Sequence, residues 1–211
     1  MKKAFAALAV CSAIGTAQAG IVINEGFNNI DSLKDKGWIL NNASTPGGAT
    51  PGWYQGDQSQ FNAHRGAPES YLAANYANSA PGGILNNWLI TPEFSTVFGA
   101  TVSFWLRGAA GDGFSDQIAF GFSNGSTALA SFVLEPVFTV PTGEWTRYVA
   151  HIGKSDGVAR FALQYTGTAD LANYIGIDSL IINEVPEPST LLVMAAGALG
   201  LAAARRRRQR P

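Results

Sequence analysis

Reactive side chains are scarce in this chain. It has one cysteine, Cys11, in 211 residues, and two histidines, His64 and His151. Cys11 falls inside an N-terminal stretch with the grammar of a removable leader, so the mature chain is expected to carry no thiol. Disulfides and cysteine catalysis are thereby excluded. Two histidines far apart in sequence, with no HExxH helix and no clustered His set, give no zinc site. His64, in FNAHRG, reads as a loop residue and His151, in YVAHIG, as a strand residue; neither is assigned a catalytic part. Charge is also sparse, at 14% of residues. No window sustains a 3.6-residue apolar period, so an α-helical bundle is excluded.

The formal charge of −1 averages two populations. Seven of the fourteen basic residues sit at the extremes (Lys2, Lys3, Arg205–Arg208 and Arg210). Between Gly20 and Pro188 there are seven basic residues against all fifteen acidic ones, a balance of −8. Such a body lacks the counterion-release drive for non-specific nucleic-acid binding, and nucleic acid is discounted as a partner.

The first nineteen residues have a basic start (Lys2, Lys3), an apolar run from Ala4 to Ile14 and the small-residue site Ala17-Gln18-Ala19. This is the pattern of a secretory signal peptide over residues 1–19. The other end, VPEPSTLLVMAAGALGLAAARRRRQRP, has three parts. Pro186 and Pro188 hold Glu187 in an extended, accessible stretch. Leu191 to Ala204 is an uncharged run of fourteen residues, about 21 Å as a helix against a hydrocarbon core of roughly 30 Å. Arg205, Arg206, Arg207 and Arg208 follow at once, as a basic stop-transfer block that the positive-inside preference keeps in the cytoplasm. The expectation is a short transmembrane helix that spans with local thinning, leaving the body outside.

Between these ends lie short alternating runs separated by turn clusters. In TVSFWLRG, Val102, Phe104 and Leu106 share one face; Ile118, Phe120 and Phe122 do so in DQIAFGFSN, and Phe161, Leu163 and Tyr165 in ARFALQYTG. In NYIGIDSLIIN the period-2 reading puts Ile175, Ile177 and Ile181 in step. Weaker strands are read at IVINEGF, GWILNN, GWYQG, SYLAANY, NWLITPEF, ASFVL and EWTRYVAHI. About ten short strands with Gly/Pro/Asn turns, such as NSAPGG at Asn78–Gly83, predict an all-β fold: a jelly-roll-like antiparallel β-sandwich over residues 20–184. The sorting segment then occupies 185–211.

The order Val185-Pro186-Glu187-Pro188, apolar run, arginine cluster resembles the PEP-CTERM sorting signal of Gram-negative bacteria that make exopolysaccharide. The resemblance implies removal of the tail by exosortase, a membrane-embedded cysteine protease and transpeptidase. It implies an inner-membrane intermediate, then the cell surface or extracellular matrix. The body is similar, in EGF (Glu25–Phe27), Gly37-Trp38, NNWLITPEF (Asn86–Phe94), VSFWLR, EWTRY and IGIDSLII, to choice-of-anchor J domains, relatives of cleaved-adhesin and MAM-type modules. That likeness implies a jelly roll with an adhesive or structural role in exopolysaccharide or biofilm. A carbohydrate-binding module for the producer's own polysaccharide is the alternative, and a secreted hydrolase the second alternative.

In related jelly rolls a structural calcium sits near the junction of first and last strands. Glu25 and Asp178 are the matching candidates here, with Asn24, Asn28 or a carbonyl to complete the six to eight oxygens calcium takes. The competing reading has Asp178 capping a local loop and Glu25 in solvent. Asp112 and Asp116, in GDGFSD, lack EF-hand spacing and read as a turn. For glycans, Trp53 and Tyr54 in PGWYQGD are the candidate exposed aromatic pair, with Trp105 next; the competing reading has them cover the core rim.

Overall fold

The computed structural model describes residues 21–185 and, beyond them, position 197 alone. The expected signal peptide (1–19), the sorting residues Pro186, Glu187 and Pro188, the expected membrane helix and Arg205–Arg208 lie outside the described residues. Residues Gly20–Val185 form one compact unit. No helix among the described residues is long and apolar enough to cross a membrane.

Fourteen strands follow one another among the described residues: β1 (Ile21–Glu25), β2 (Ile39–Asn42), β3 (Thr45–Gly47), β4 (Tyr54–Gln55), β5 (Leu72–Asn75), β6 (Ser79–Ile90), β7 (Phe94–Ser95), β8 (Ala100–Gly108), β9 (Gln117–Ser123), β10 (Val133–Leu134), β11 (Phe138–Thr139), β12 (Thr146–Ile152), β13 (Val158–Thr168) and β14 (Tyr174–Glu184). They form two antiparallel sheets. One runs β12-β8-β14-β5-β4, with β1 also on β14; the other runs β10-β9-β13-β6-β2, with β11 on β9, β3 on β6 and β7 on β13. An all-β antiparallel sandwich is the observed fold.

The alternating residues fill the space between the sheets. Val102, Phe104, Leu106, Ile118, Phe161, Leu163 and Tyr165 are all fully buried in one apolar cluster, with Phe120 and Phe122 packed against it. Long strands carry two short partners along one edge. The free edge of β14 is shared by β5, opposite Tyr174–Ile177, and β1, opposite Leu180–Asn183. Where the partner changes, β14 has a bulge between Asp178 and Ile181, with Ser179 at φ 51°. An inserted residue reverses the inside/outside phase. Hence Ile175 and Ile177 point inward as expected, but beyond the bulge Leu180 and Ile182 are buried and Ile181 is not. The in-step reading of Ile181 is corrected accordingly.

Two further departures have local causes. In the Pro/Gly cluster at Asn78–Gly83, Asn78 ends a 3-10 turn and Ser79–Gly83 begin β6 rather than a loop, because β3 pairs with this strand and offsets its weak propensity. The segment Ile30–Lys36 is a 3-10 helix: the Asn29 side chain accepts from the Asp31 amide, Gly37 (φ 83°) closes it, and Ile30 and Leu33 supply its buried face.

Candidate functional site

One end of the sandwich gathers the C-terminal ends of β5, β8 and β13 with the N-terminal ends of β6, β9 and β14. The loops there enclose a cleft of about 760 Å³. Its walls come from Gly47–Ala49, from Tyr76 and Ala77 after β5, from Ser79–Pro81, from Phe114 in the β8–β9 loop, and from Ala169, Asp170, Ala172 and Asn173. Tyr76 is 54% exposed and Phe114 50% exposed, both large aromatics held open to solvent beside the cleft.

The walls are built on buried polar anchors. Asp116, 4% exposed, accepts from the Tyr165 hydroxyl at 2.6 Å, the Asn173 amide at 2.8 Å and the Tyr174 amide at 3.2 Å. It locks the β8–β9 loop to the β13–β14 loop. Burial raises its carboxyl above the ordinary aspartate range, against those three donors. The Ser115 amide adds a bond to the Leu171 carbonyl at 2.7 Å, so Phe114 stands on a tethered loop. Across the cleft the Tyr76 amide donates to the Asn173 carbonyl at 3.0 Å. The fully buried Asn78 donates to Thr50 Oγ1 (2.7 Å) and the Gly52 carbonyl (2.9 Å) and accepts from the Asn75 amide (3.2 Å). Gly48 must be glycine: a Cβ there would collide with the Ala77 carbonyl and lie 2.6 Å from the Ser79 amide nitrogen. Asp170 uses Oδ1 to accept from the Gly82 amide at 2.8 Å.

Of the residues singled out from sequence, none lines this cleft. Trp53 is 5% exposed, in the core against the Tyr165 ring, with centroids 6.4 Å apart. The expectation of an exposed Trp53–Tyr54 pair is corrected: the Gly/Pro loop before them turns Trp53 inward between the sheets. Tyr54 is half-buried edge-on to Tyr174, and burial pushes its hydroxyl pKa up. Trp105 is covered by His64, stacked on it at 3.8 Å. His64 Nδ1 meets Ser179 Oγ at 3.0 Å, and burial, then the Arg65 charge, lowers its pKa. His151 Nδ1 meets Thr101 Oγ1 at 3.1 Å on the same sheet.

The letters Gly-x-Ser-x-Gly, which a serine hydrolase reading would need, do occur, at Gly121–Gly125. They do not form a strand-to-helix elbow: Ser123 ends β9 at 4% exposure and donates to the Ser126 carbonyl at 2.6 Å. Both histidines are engaged elsewhere.

Glu25 and Asp178 are both buried, at 7% and 0% exposure, but each already has its own set of donors. Glu25 Oε1 accepts from the Phe27 amide at 2.8 Å and Oε2 pairs with Lys36 Nζ at 3.0 Å. Asp178 Oδ2 accepts from the Arg65 amide at 3.0 Å and Oδ1 from the amide and hydroxyl of Ser179. An ammonium on one carboxylate and backbone N–H groups on the other are the contacts of an ion pair and a bulge clamp. They do not fit a calcium shell, which needs converging oxygens free of cationic neighbours. No group of three His, Cys, Asp or Glu able to hold a metal occurs among the described residues.

Tyr76 and Phe114 were the residues sequence reading missed. The signal was available for Phe114, an aromatic in the turn cluster GDGFSD that no strand claims; Tyr76 closes SYLAANY, which reads as a strand, whereas the observed strand stops at Asn75 and Tyr76 begins a 3-10 turn.

Comparison with known proteins identifies the other end of the chain. Residues 184–208 match the PEP-CTERM protein-sorting motif. The chain carries a PEP-CTERM sorting signal. The motif implies export, a membrane-anchored intermediate and processing by exosortase. No curated protein matches the chain. Among solved structures, the K1 cleaved adhesin domain of Lys-gingipain from Porphyromonas gingivalis is similar over 76% of this chain and 96% of its own, at 19% identity and TM-score 0.59. The K3 domain of the same protein covers 77% and 99%, at 19% identity and TM-score 0.56. The CBM22-1–GH10 modules of Clostridium thermocellum xylanase 10B, complexed with xylohexaose, match over 80% of this chain and 29% of that chain, at 12% identity and TM-score 0.50. At these identities the likeness is one of fold.

Proposed function

We propose that the sorting signal delivers the sandwich to the surface of a Gram-negative cell, where the body binds polysaccharide through the end cleft and so acts adhesively in the exopolysaccharide matrix. The observation that carries the binding role is the pair of solvent-facing rings, Tyr76 and Phe114, on rigidly tethered loops beside a cleft of about 760 Å³. Ring faces suit the C–H faces of sugars, and the Tyr76 hydroxyl, Asp170 and Asn173 offer polar partners to sugar hydroxyls. A glycan-bound solved relative of the fold, the xylanase module above, agrees with this reading, as does the adhesin name of the gingipain domains. No catalytic role is proposed: Ser123 of the serine motif is buried and hydrogen-bonded to the Ser126 carbonyl, and both histidines are engaged elsewhere.

The placement of the cleft supports the same reading. β14 begins at Tyr174, beside the cleft, and ends at Glu184, next to the sorting motif; eleven residues at strand rise cover about 35 Å. The cleft opens at the end of the body away from Val185. The test is affinity electrophoresis of the body, residues 20–185, in gels containing the producer's own exopolysaccharide. Retardation should be saturable, and Tyr76→Ala or Phe114→Ala should each weaken it about 5- to 150-fold, as loss of one buried ring contact of roughly 1–3 kcal/mol implies. Unretarded wild-type protein, or variants retarded as strongly as wild type, would overturn the assignment.

A further inference from the structure

The end of the sandwich from which the chain leaves is apolar. The Val185 amide donates to the Gly99 carbonyl at 3.0 Å, and the Gly99 amide closes a turn on the Thr96 carbonyl at 2.9 Å. Val97 and Phe98 form the tip of that turn, 40% and 37% exposed. Ile21, paired with Asn183 on the neighbouring strand, is 64% exposed, and Val22, Val158 and Val185 are 40%, 40% and 42% exposed. Six of the thirteen exposed large hydrophobics among the described residues thus surround one chain exit. Turn tips normally carry polar residues; valine followed by phenylalanine there calls for a partner. The charged residues at this end are Lys154 and Asp156 in the β12–β13 loop, Glu184 on β14, and Glu93 beside Val158, which pairs with Arg160 at 3.8 Å; they are mixed in sign and leave Val97 and Phe98 uncovered at the turn tip.

We infer that this rim, Val97 and Phe98 foremost, rests in the headgroup layer of the membrane while the sorting tail is still attached. The inference rests on the sorting-signal reading and on the length of chain that follows Val185. Five residues, Pro186–Thr190, precede the apolar run, and fully extended they cover about 17 Å. The run is also about 9 Å shorter, as a helix, than the hydrocarbon thickness, so a link of five residues has little length to spare across a headgroup layer of roughly 5–8 Å. A body tethered that closely and carrying seven net negative charges over residues 20–185 is repelled by anionic lipid. The contact is therefore an apolar one, of the kind that interfacial segments make. It holds the processing site at the membrane surface and is given up when the tail is cut.

The test uses the full chain, isolated from membranes of a host without exosortase and placed in vesicles of phosphatidylethanolamine and phosphatidylglycerol. Cys11 leaves with the leader, so Phe98→Cys and, as control, Ile84→Cys each supply the single thiol for an environment-sensitive fluorophore. Ile84 lies at the cleft end, opposite Thr168, and at 54% is more exposed than Phe98. The label at 98 should shift to the blue and be quenched by a shallow spin-labelled lipid, as a group at the headgroup boundary is; the label at 84 should do neither. If the chain floats with the vesicles and position 98 behaves like position 84, the rim contact is refuted while the tail reading stands. If the chain does not float, the tail reading fails and takes the rim with it. Quenching that appears only when exosortase is present would assign the rim to the protease and refute a lipid contact.

Discussion

Asp116 is the residue on which the cleft wall depends, and two substitutions separate its contributions. Alanine removes the carboxylate and leaves three donors at a buried position: the Tyr165 hydroxyl and the amides of Asn173 and Tyr174. Each unpaired buried donor costs about 1–3 kcal/mol. Some relaxation toward water at the loop brings the expected total to about 3–6 kcal/mol rather than the simple maximum. Asparagine keeps an acceptor for Tyr165 and Asn173 but turns an amide toward the Tyr174 N–H, leaving one donor unpaired. Set against that, asparagine removes a buried charge whose desolvation is large enough to raise the carboxyl pKa despite three hydrogen bonds. The net expectation for Asp116→Asn at pH 7 is a loss of about 1–2 kcal/mol. Urea unfolding of residues 20–185, followed by circular dichroism, measures both. The Asn173 and Tyr174 amides also position the cleft wall, so Asp116→Ala should lose polysaccharide retardation even where it remains folded. Equal destabilisation by the two substitutions, or an alanine variant within about 0.5 kcal/mol of wild type, the range of inert surface changes, would refute the keystone role.

Other consequences are more local. Gly48→Ala places a Cβ against main-chain atoms of Ala77–Ser79; about 1–3 kcal/mol of destabilisation is expected, as for overpacking, together with weakened retardation in the exopolysaccharide gel. Burial raises the Asp178 carboxyl to about 6, above the unfolded aspartate value of about 3.9. The folded state therefore takes up a proton between those values, and stability falls as pH rises through that window, by up to about 3 kcal/mol. The lowered pKa of His64 acts the other way below its unfolded value, so the slope attributable to Asp178 is the difference between wild type and Asp178→Asn in urea titrations from acid to neutral pH. Because Lys36 already occupies the outer oxygen of Glu25, adding calcium or a chelator should leave the melting temperature of the body unchanged; a calcium-dependent rise of several degrees would restore the metal reading of Glu25 and Asp178.

The sandwich was legible in the sequence where period-2 alternation was unbroken. Val102, Phe104 and Leu106, or Phe161, Leu163 and Tyr165, have one physical solution once a sheet forms. The phase of β14 was not legible, because a bulge at Asp178–Ser179 depends on which strands pair with its two halves, and pairing is a tertiary property. The same limit hid β6, whose Pro/Gly start is a strand only because β3 lies beside it. For the site, residue type misled: Trp53 and Tyr54 carry large rings next to a polar loop, yet the turn before them directs Trp53 into the core. Tyr76 and Phe114 sit in equally polar loops, but Asp116, Asn78 and the neighbouring main chain hold them outward. The difference lies in which buried anchors flank each aromatic, and those anchors come from distant parts of the chain. The tail was the most legible part, since its order of prolines, apolar run and arginines is meaningful without any fold.

Delivery by the tail underlies both the surface role of the cleft and the transient role of the apolar rim. It is tested most directly by the intact mass and C-terminal peptide of the protein recovered from the surface fraction of its native producer. A chain that starts at Gly20 and ends between Val185 and Pro188, with or without an added group, is the predicted result. A chain that keeps Arg205–Arg208 and stays in the inner membrane would contradict it, making the tail a permanent anchor and removing the body from the extracellular matrix.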